Sequence, residues 1–123
     1  MSDTGNPVEG TLPRERPLDV LVVYVPVGDT DALLQALFDA GAGALGAYRD
    51  CAFVTRGTGQ FRPVEGADPA IGTIGDVEKV AENRVEVVLE RGLRDGVVAA
   101  LRAAHPYEEP AFHVIEAAQT DPA

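Results

Sequence analysis

The densest group of chemically active side chains in this sequence lies between residues 105 and 110, which read His-Pro-Tyr-Glu-Glu-Pro. An imidazole, a phenol and two carboxylates share a turn bracketed by prolines. His105 with Glu108 or Glu109 has the ligand types that bind a divalent metal, and the same groups suit acid–base chemistry. Alternatively, the run is a rigid helix-to-strand turn with Tyr107 packed and both glutamates solvated. The residues by themselves leave both interpretations open.

Two further side chains are candidates for metal or nucleophilic chemistry. His113 alternates with Ala111 and Ile115, which favours a core or interface histidine, and its spacing from His105 matches no diagnostic metal motif. Cys51 lies at the start of an expected strand, where a small buried thiol is the ordinary case. Nucleophilic catalysis by this thiol would require a neighbouring base and electropositive surroundings, neither of which the sequence fixes.

A glycine-rich segment, Gly57-Thr-Gly-Gln-Phe-Arg62, has only the first two glycines of a dinucleotide-binding fingerprint. Arg62 stands where the third glycine belongs, and no helix is expected after it. The glycines therefore indicate a shaped loop. Arg62 and the nearby Glu65 are candidate ligand-binding side chains, with an exposed structural arginine as the alternative for Arg62.

Composition excludes several classes of protein. The chain has 123 residues with 20 acidic against 10 Lys and Arg side chains, and its formal net charge of −10 disfavours nucleic-acid binding. The longest apolar stretch, residues 21–27, is far shorter than the roughly 18 residues of a membrane span. A single cysteine excludes an intramolecular disulfide and a Cys-rich zinc site. We expect one soluble domain in the cytoplasm, with no membrane or nucleic-acid partner.

The helices and strands that position these residues can be predicted from the periodicity of apolar residues and from the glycines and prolines that interrupt it. Residues 1–17 are expected to be a flexible tail, 18–117 the domain, and 118–123 a frayed C-terminus. The patterns predict strands at 18–27, 51–56, 84–90 and 111–116, helices at 31–40 and 93–104, and a Gly/Pro-rich excursion over 57–76.

This order, βαββαβ, predicts an α+β ferredoxin-like sandwich, in which an antiparallel sheet carries both helices on one face and a long insertion separates strands 2 and 3. The first strand is apolar on both sides, since Val20, Val22 and Tyr24 alternate with three further apolar residues. Exposed apolar patches of that kind are rare on monomers. A second copy of the chain is therefore the simplest candidate to cover the open face.

Several segments, in order, give the sequence a specific resemblance. They are Phe38-Asp-Ala-Gly-Ala-Gly43, Tyr48-Arg-Asp-Cys51, Gly57-Thr-Gly-Gln-Phe-Arg-Pro63, Glu65-Gly-Ala-Asp-Pro69, Ile71-Gly72 and Ala104-His-Pro-Tyr-Glu-Glu-Pro-Ala111. Together they resemble the YqfO-type domain, a CutA-like and PII-like module inserted in the dinuclear-metal family of GTP cyclohydrolase type 1 homologues. The resemblance covers residues 18–117 and implies a ferredoxin-like fold, trimeric packing and a poorly defined function. We expect the module to stand alone here.

The departures from the family limit what the resemblance implies. The two metals of the full-length family are held by flanking domains with a His-x-x-x-His pair, whereas this chain has only His105 and His113. No metal-site residue carries over. PII proteins bind nucleotide around the loop that corresponds to residues 57–76, but their basic phosphate-binding residues have no clear counterpart. The CutA link with divalent metals and copper keeps His105, Glu108 and Cys51 as candidate ligands.

These observations predict a non-enzymatic homotrimeric regulatory or binding module that senses a small ligand or metal or docks on a partner protein. The alternative is a divalent-metal-binding protein of CutA type, and no cofactor is established. The turn over 105–110 and the loop over 57–69 are expected to meet as the functional surface, across a subunit boundary. The candidate ligand-binding residues on these two segments are Arg62, Glu65, His105, Tyr107, Glu108 and Glu109.

Overall fold

The computed structural model of the chain describes residues 16–119. Its strands are β1 (Leu18–Pro26), β2 (Phe53–Phe61), β3 (Glu78–Glu90) and β4 (Phe112–Glu116), and its helices are α1 (Thr30–Asp39) and α2 (Arg94–Ala104). A single 3-10 turn precedes each helix. The βαββαβ order is therefore confirmed. Of the tail expected over residues 1–17, the first fifteen lie outside the described residues, as do 120–123 of the expected C-terminal segment.

The four strands form one antiparallel sheet in the order β2-β3-β1-β4. Alternate residues of β1 and β3, such as Leu21 and Val87, are fully buried in a core that also contains Leu33 of α1 and Leu101 of α2. Both helices thus bury their apolar stripes on one face of the sheet, while the other face stays open. This confirms the expected α+β class.

Local chemistry explains where the helices begin and end. At the start of α1 the Thr30 hydroxyl donates to the Pro26 carbonyl at 3.1 Å and accepts from the Asn83 amide at 3.0 Å, which ties α1 to β3. At the end of α2, Pro106 disfavours helical backbone at the residue before it, and His105 is accordingly extended (φ −74°, ψ 137°). Both predicted helices agree with the observed ones within one residue.

The second and third strands are longer than predicted. β2 continues through Gly57 and Gly59 to Phe61, and β3 begins at Glu78, so the connection between them is residues 62–77 rather than 57–76. Neither glycine has a positive φ, and both pair with β3 in the ordinary antiparallel register. Glycine weakens a strand without forbidding it.

Asp19, buried at 0% exposure, shares the helix-bearing face with the core residues of β1. Nε of Arg91 and Nε of Arg94 each donate to a different oxygen of its carboxylate at 2.7 Å. Nη2 of Arg94 also donates to Glu116 at 2.7 Å. The hydrogen bonds and charges of Arg94 and Arg91 hold the pKa of the Asp19 carboxyl below its usual value, despite its burial. The network joins β1, the start of α2 and β4.

The side chains of β1 on the open face of the sheet are apolar, as expected. Neighbouring side chains of the same chain already cover most of them. Val22 is only 1% exposed within one chain, between Glu86 of β3 and His113 of β4. The exposed large apolar side chains of this face lie on the edge strands instead, with Phe53 66% and Ile115 48% exposed. Within residues 16–119, neither helix is long and apolar enough to cross a membrane.

Candidate ligand-binding cleft

The turn over residues 105–110 and the β2–β3 connection meet in space, as the sequence predicted. The backbone N–H of Asp68 donates to Oε1 of Glu108 at 3.0 Å. The rings of Phe61 and Tyr107 pack against each other with an interplanar angle of 60° and with their centroids 5.7 Å apart. These contacts form within one chain and not across a subunit boundary, the location predicted from the sequence.

A cavity of about 250 Å³ lies between the two segments. Its walls are mostly apolar and include Phe61, Pro63 and Ile71. The residues with polar side chains in its lining are Tyr24, Gln60, Arg62, Glu82, Tyr107, Glu108 and Glu109. Mostly apolar walls with a few convergent polar groups are typical of small-molecule sites. We call this cavity the cleft.

Glu82 of β3 is the buried carboxylate of the cleft, at 9% exposure. It lies opposite Gly57 in the sheet, on the open face. Its side chain crosses the neighbouring Gly59, where a Cβ would overlap the carboxylate. The Tyr107 hydroxyl donates to Oε2 of Glu82 at 2.9 Å. Burial and this carboxylate raise the pKa of Tyr107, which keeps the phenol protonated as a donor.

His105 is placed as a structural residue, contrary to the expectation of a metal-ligating or ligand-binding imidazole. It is 6% exposed and does not line the cleft. Nε2 lies 2.7 Å from the carbonyl oxygen of Tyr24, and Nδ1 accepts the backbone N–H of Tyr107 at 3.1 Å. A carbonyl only accepts, so the neutral ring carries its proton on Nε2. Both ring nitrogens are therefore engaged by backbone groups, and the ring holds the turn in place.

The remaining predicted residues divide between the cleft and elsewhere. Arg62, Glu108 and Glu109 line the cleft, whereas the exposed Glu65 does not. Cys51 is half-buried rather than fully buried and precedes β2 instead of starting it; its Sγ lies 3.8 Å from the Arg49 carbonyl.

The three proposed metal ligands do not come together. In the part of the chain that the structure describes, no group of three His, Cys, Asp or Glu side chains has the geometry to hold a metal ion. Cys51 borders a different surface depression, beside Val20 and Phe53, whereas Glu108 lies at the cleft. His105, Glu108 and Cys51 thus form no site within one chain.

Sequence reasoning missed Glu82, Gly59 and Phe61. Glu82 lies outside the third strand predicted over 84–90, and Gly59 and Phe61 lie within the excursion predicted over 57–76, whereas the structure has all three on β2 and β3. The available signal was the Gly-x-Gly spacing of residues 57 and 59. On an edge strand paired with a strand that carries a glutamate, two such glycines leave room for the carboxylate to lie over the backbone. That signal has meaning only once the β2–β3 register is known.

Curated relatives match this chain over most of its length. It is 52% identical over 103 residues to the GTP cyclohydrolase 1 type 2 homolog of Mycobacterium bovis, and 42% identical over 104 residues to that of Bacillus subtilis. The matches cover 84% and 85% of this chain but 27% and 28% of the relatives. The chain is homologous to one segment of these proteins. It spans about a quarter of their length. No family model matches the chain.

Solved structures agree with that assignment. A Bacillus cereus protein related to NIF3 superposes with a TM-score of 0.72 at 39% identity, over 83% of this chain and 26% of that one. The divalent ion tolerance protein CutA1 of Ehrlichia chaffeensis superposes with a TM-score of 0.63 at 16% identity, over 86% of both chains. The fold is therefore similar to a segment of the NIF3-related protein and to CutA1, as the resemblance implied.

Proposed function

We propose that this chain is a non-enzymatic binding module that takes up a small ligand in the cleft and acts as a homotrimer in the cytoplasm. The observation that carries the proposal is the cleft itself, a cavity of about 250 Å³ with a buried carboxylate and a phenol pre-positioned on its wall. Glu82 is on a strand and Tyr107 is held by a proline-bracketed turn. Polar groups held by rigid elements are suited to selective binding.

A binding role fits the chemistry of the cleft better than catalysis. His105 is engaged by backbone groups at both nitrogens, and Cys51 lies elsewhere. The residues of 16–119 that line the cleft include no Ser, Thr, Cys, Lys or His side chain. The Tyr107 phenol lies beside the Glu82 carboxylate, but its pKa is raised, which disfavours the phenolate that nucleophilic catalysis would require. The name of the relatives refers to GTP cyclohydrolase, but this chain spans about a quarter of them.

Trimer formation would cover the exposed edges of the open face. Phe53 and Ile115 expose apolar side chains on the two edge strands, and closed assembly buries such edges. Light scattering on the purified chain at micromolar concentration is expected to give three times the chain mass. A stable monomer would contradict the trimer without affecting the cleft, which forms within one chain.

Ligand uptake is tested by titrating the ¹⁵N-labelled full chain with a panel that contains ATP, 2-oxoglutarate, primary amines, Zn²⁺ and Cu²⁺. We expect saturable chemical-shift changes at residues 59–71 and 105–111 with at least one organic compound, and no turnover of that compound. If only Zn²⁺ or Cu²⁺ binds, the divalent-metal alternative of CutA type replaces the proposal. If no compound perturbs these residues, or if one is converted to product, the proposal is wrong.

A further inference from the structure

The carboxylate of Glu82 has no ion-pair partner in the described part of the chain. The carboxylate is 9% exposed, forms no ion pair within residues 16–119, and has the Tyr107 hydroxyl as its hydrogen-bond donor there. The nearest arginine along β3, Arg84, is directed elsewhere, to Glu86 at 3.1 Å and to the Tyr24 hydroxyl at 3.4 Å. Burying a carboxylate with one neutral donor is costly, so such groups are normally paired.

From this carboxylate we infer the chemical class of the ligand, an inference that rests on the proposed function. We propose that the cleft binds a compound with a cationic nitrogen donor, an ammonium, amidinium or guanidinium group, attached to an apolar body. The cation pairs with Glu82, and the apolar body packs against Phe61 and the neighbouring wall. Charge-assisted hydrogen bonds of this kind are about twice as strong as neutral ones.

The shape of the cleft supports an apolar body beside the cation. The rings of Phe61 and Tyr107 lie on one wall, and Pro63 and Ile71 contribute further apolar surface. A flat or aromatic body can pack against such rings, and a cation near them gains additional attraction from the π faces.

The charges around the cleft oppose an anionic ligand. Three carboxylates line it, Glu82, Glu108 and Glu109, against one guanidinium, that of Arg62. Arg62 is exposed, whereas Glu82 is buried. A phosphate or carboxylate group entering the cleft would therefore meet a negative field, which water screens poorly around the buried Glu82.

The backbone of β2 is adapted to the position of this carboxylate. A Cβ at Gly59 would overlap the Glu82 side chain, whereas a Cβ at Gly57 would have its nearest neighbour 4.0 Å away. Only at residue 59 does the strand need glycine to leave space for Glu82. The carboxylate is thus held in a specific location by Gly59 below it and Tyr107 beside it.

The experiment uses three probes of nearly equal shape, benzamidine, benzamide and benzoate, titrated into the ¹⁵N-labelled full chain at millimolar concentrations. We expect benzamidine to perturb Gly59, Glu82 and Tyr107 saturably, and to bind at least about tenfold more tightly than benzamide. Benzoate should not bind. The Glu82→Gln variant keeps an acceptor for the Tyr107 hydroxyl and should lose the preference for benzamidine over benzamide.

The control is Glu65→Gln, which removes the same charge from an exposed residue that does not line the cleft. It should retain the preference. Chemical denaturation reports whether Glu82→Gln folds; because it removes an uncompensated buried charge, its midpoint should equal or exceed that of the wild type. Folding failure of this variant would mean that the carboxylate has a structural role, and would overturn the inference.

Three further outcomes would overturn it: equal affinity for benzamidine and benzamide, no binding of benzamidine, or an undiminished preference in Glu82→Gln. The proposed function is judged separately. If benzoate, ATP or 2-oxoglutarate binds at the cleft while benzamidine does not, the cleft is a ligand site and only the cationic class is wrong.

Discussion

The hydroxyl of Tyr107 donates a hydrogen bond of 2.9 Å to Oε2 of Glu82, and so joins the turn after α2 to a buried carboxylate on β3. The two residues are 25 positions apart and belong to different elements. Their contact joins the turn over residues 105–110, which the sequence indicated as a candidate site, to Glu82, which it did not indicate.

Removing the hydroxyl should destabilise the fold. In Tyr107→Phe the buried carboxylate loses its hydrogen-bond donor, and we expect a loss of about 1.5–3 kcal/mol in the free energy of unfolding, measured by urea denaturation. The same substitution in a Glu82→Gln background should cost less, because a neutral amide is less costly to leave unpaired. Equal costs in both backgrounds would show that the charge of Glu82 adds nothing to the contribution of this hydrogen bond.

A methyl group at residue 59 should displace Glu82. We expect Gly59→Ala to break the Tyr107–Glu82 hydrogen bond and to cost about 1–3 kcal/mol, with chemical-shift changes at the Tyr107 amide. Gly57→Ala is the matched control on the same strand, where a Cβ has free space. It should change stability by no more than about 1 kcal/mol in either direction. Similar losses in both variants would contradict the specific role of Gly59.

The Asp19 network predicts a loss of stability in acid. Because Arg94 and Arg91 lower the pKa of Asp19 in the folded state, the unfolded chain binds its proton more readily. The contribution is therefore present above the unfolded pKa of about 3.9 and is lost as pH falls through the lower folded value. Asp19→Asn should cost about 3 kcal/mol at pH 7 and flatten the stability curve below pH 4.

The exposed Asp76 offers the matched control for this experiment. Asp76→Asn should have nearly the same free energy of unfolding at pH 7 as the wild type. Its loss of stability as the pH falls below 4 should also match that of the wild type. Urea denaturation at several pH values measures both quantities. If Asp19→Asn loses stability in acid as steeply as the wild type does, the acid sensitivity comes from other carboxylates.

His105 is expected to exist as the Nε2–H tautomer when neutral, since Tyr24 presents an acceptor to Nε2 and Tyr107 a donor to Nδ1. Long-range ¹H–¹⁵N spectra of the ring distinguish the tautomers. His105→Ala leaves both backbone groups without these partners and should destabilise the chain by at least about 2 kcal/mol. A Nδ1–H tautomer, or ring shifts that respond to Zn²⁺, would restore the metal-ligand interpretation.

The fold was largely predictable because it depends on local patterns. Alternating apolar residues predicted the third strand with Val87 on its buried side, and Pro106 placed the end of α2 correctly. The strand extensions over residues 57–61 and 78–83 were not predicted, since glycine-rich segments pair only when a neighbouring strand supplies the partner groups. Pairing of that kind is not encoded in a local window.

The element order, the α+β class and the chemically rich turn at residues 105–110 could all be read from the sequence. Apolar periodicity, the steric effect of proline and side-chain chemistry depend only on residues that are close in sequence, so they can be recognised without a structure. The tertiary structure decided which groups meet: it turned His105 into a backbone anchor, separated Cys51 from the turn, and brought Glu82 over Gly59 to Tyr107. Those outcomes depend on the β2–β3 register and on the direction of the turn, which long-range packing alone sets.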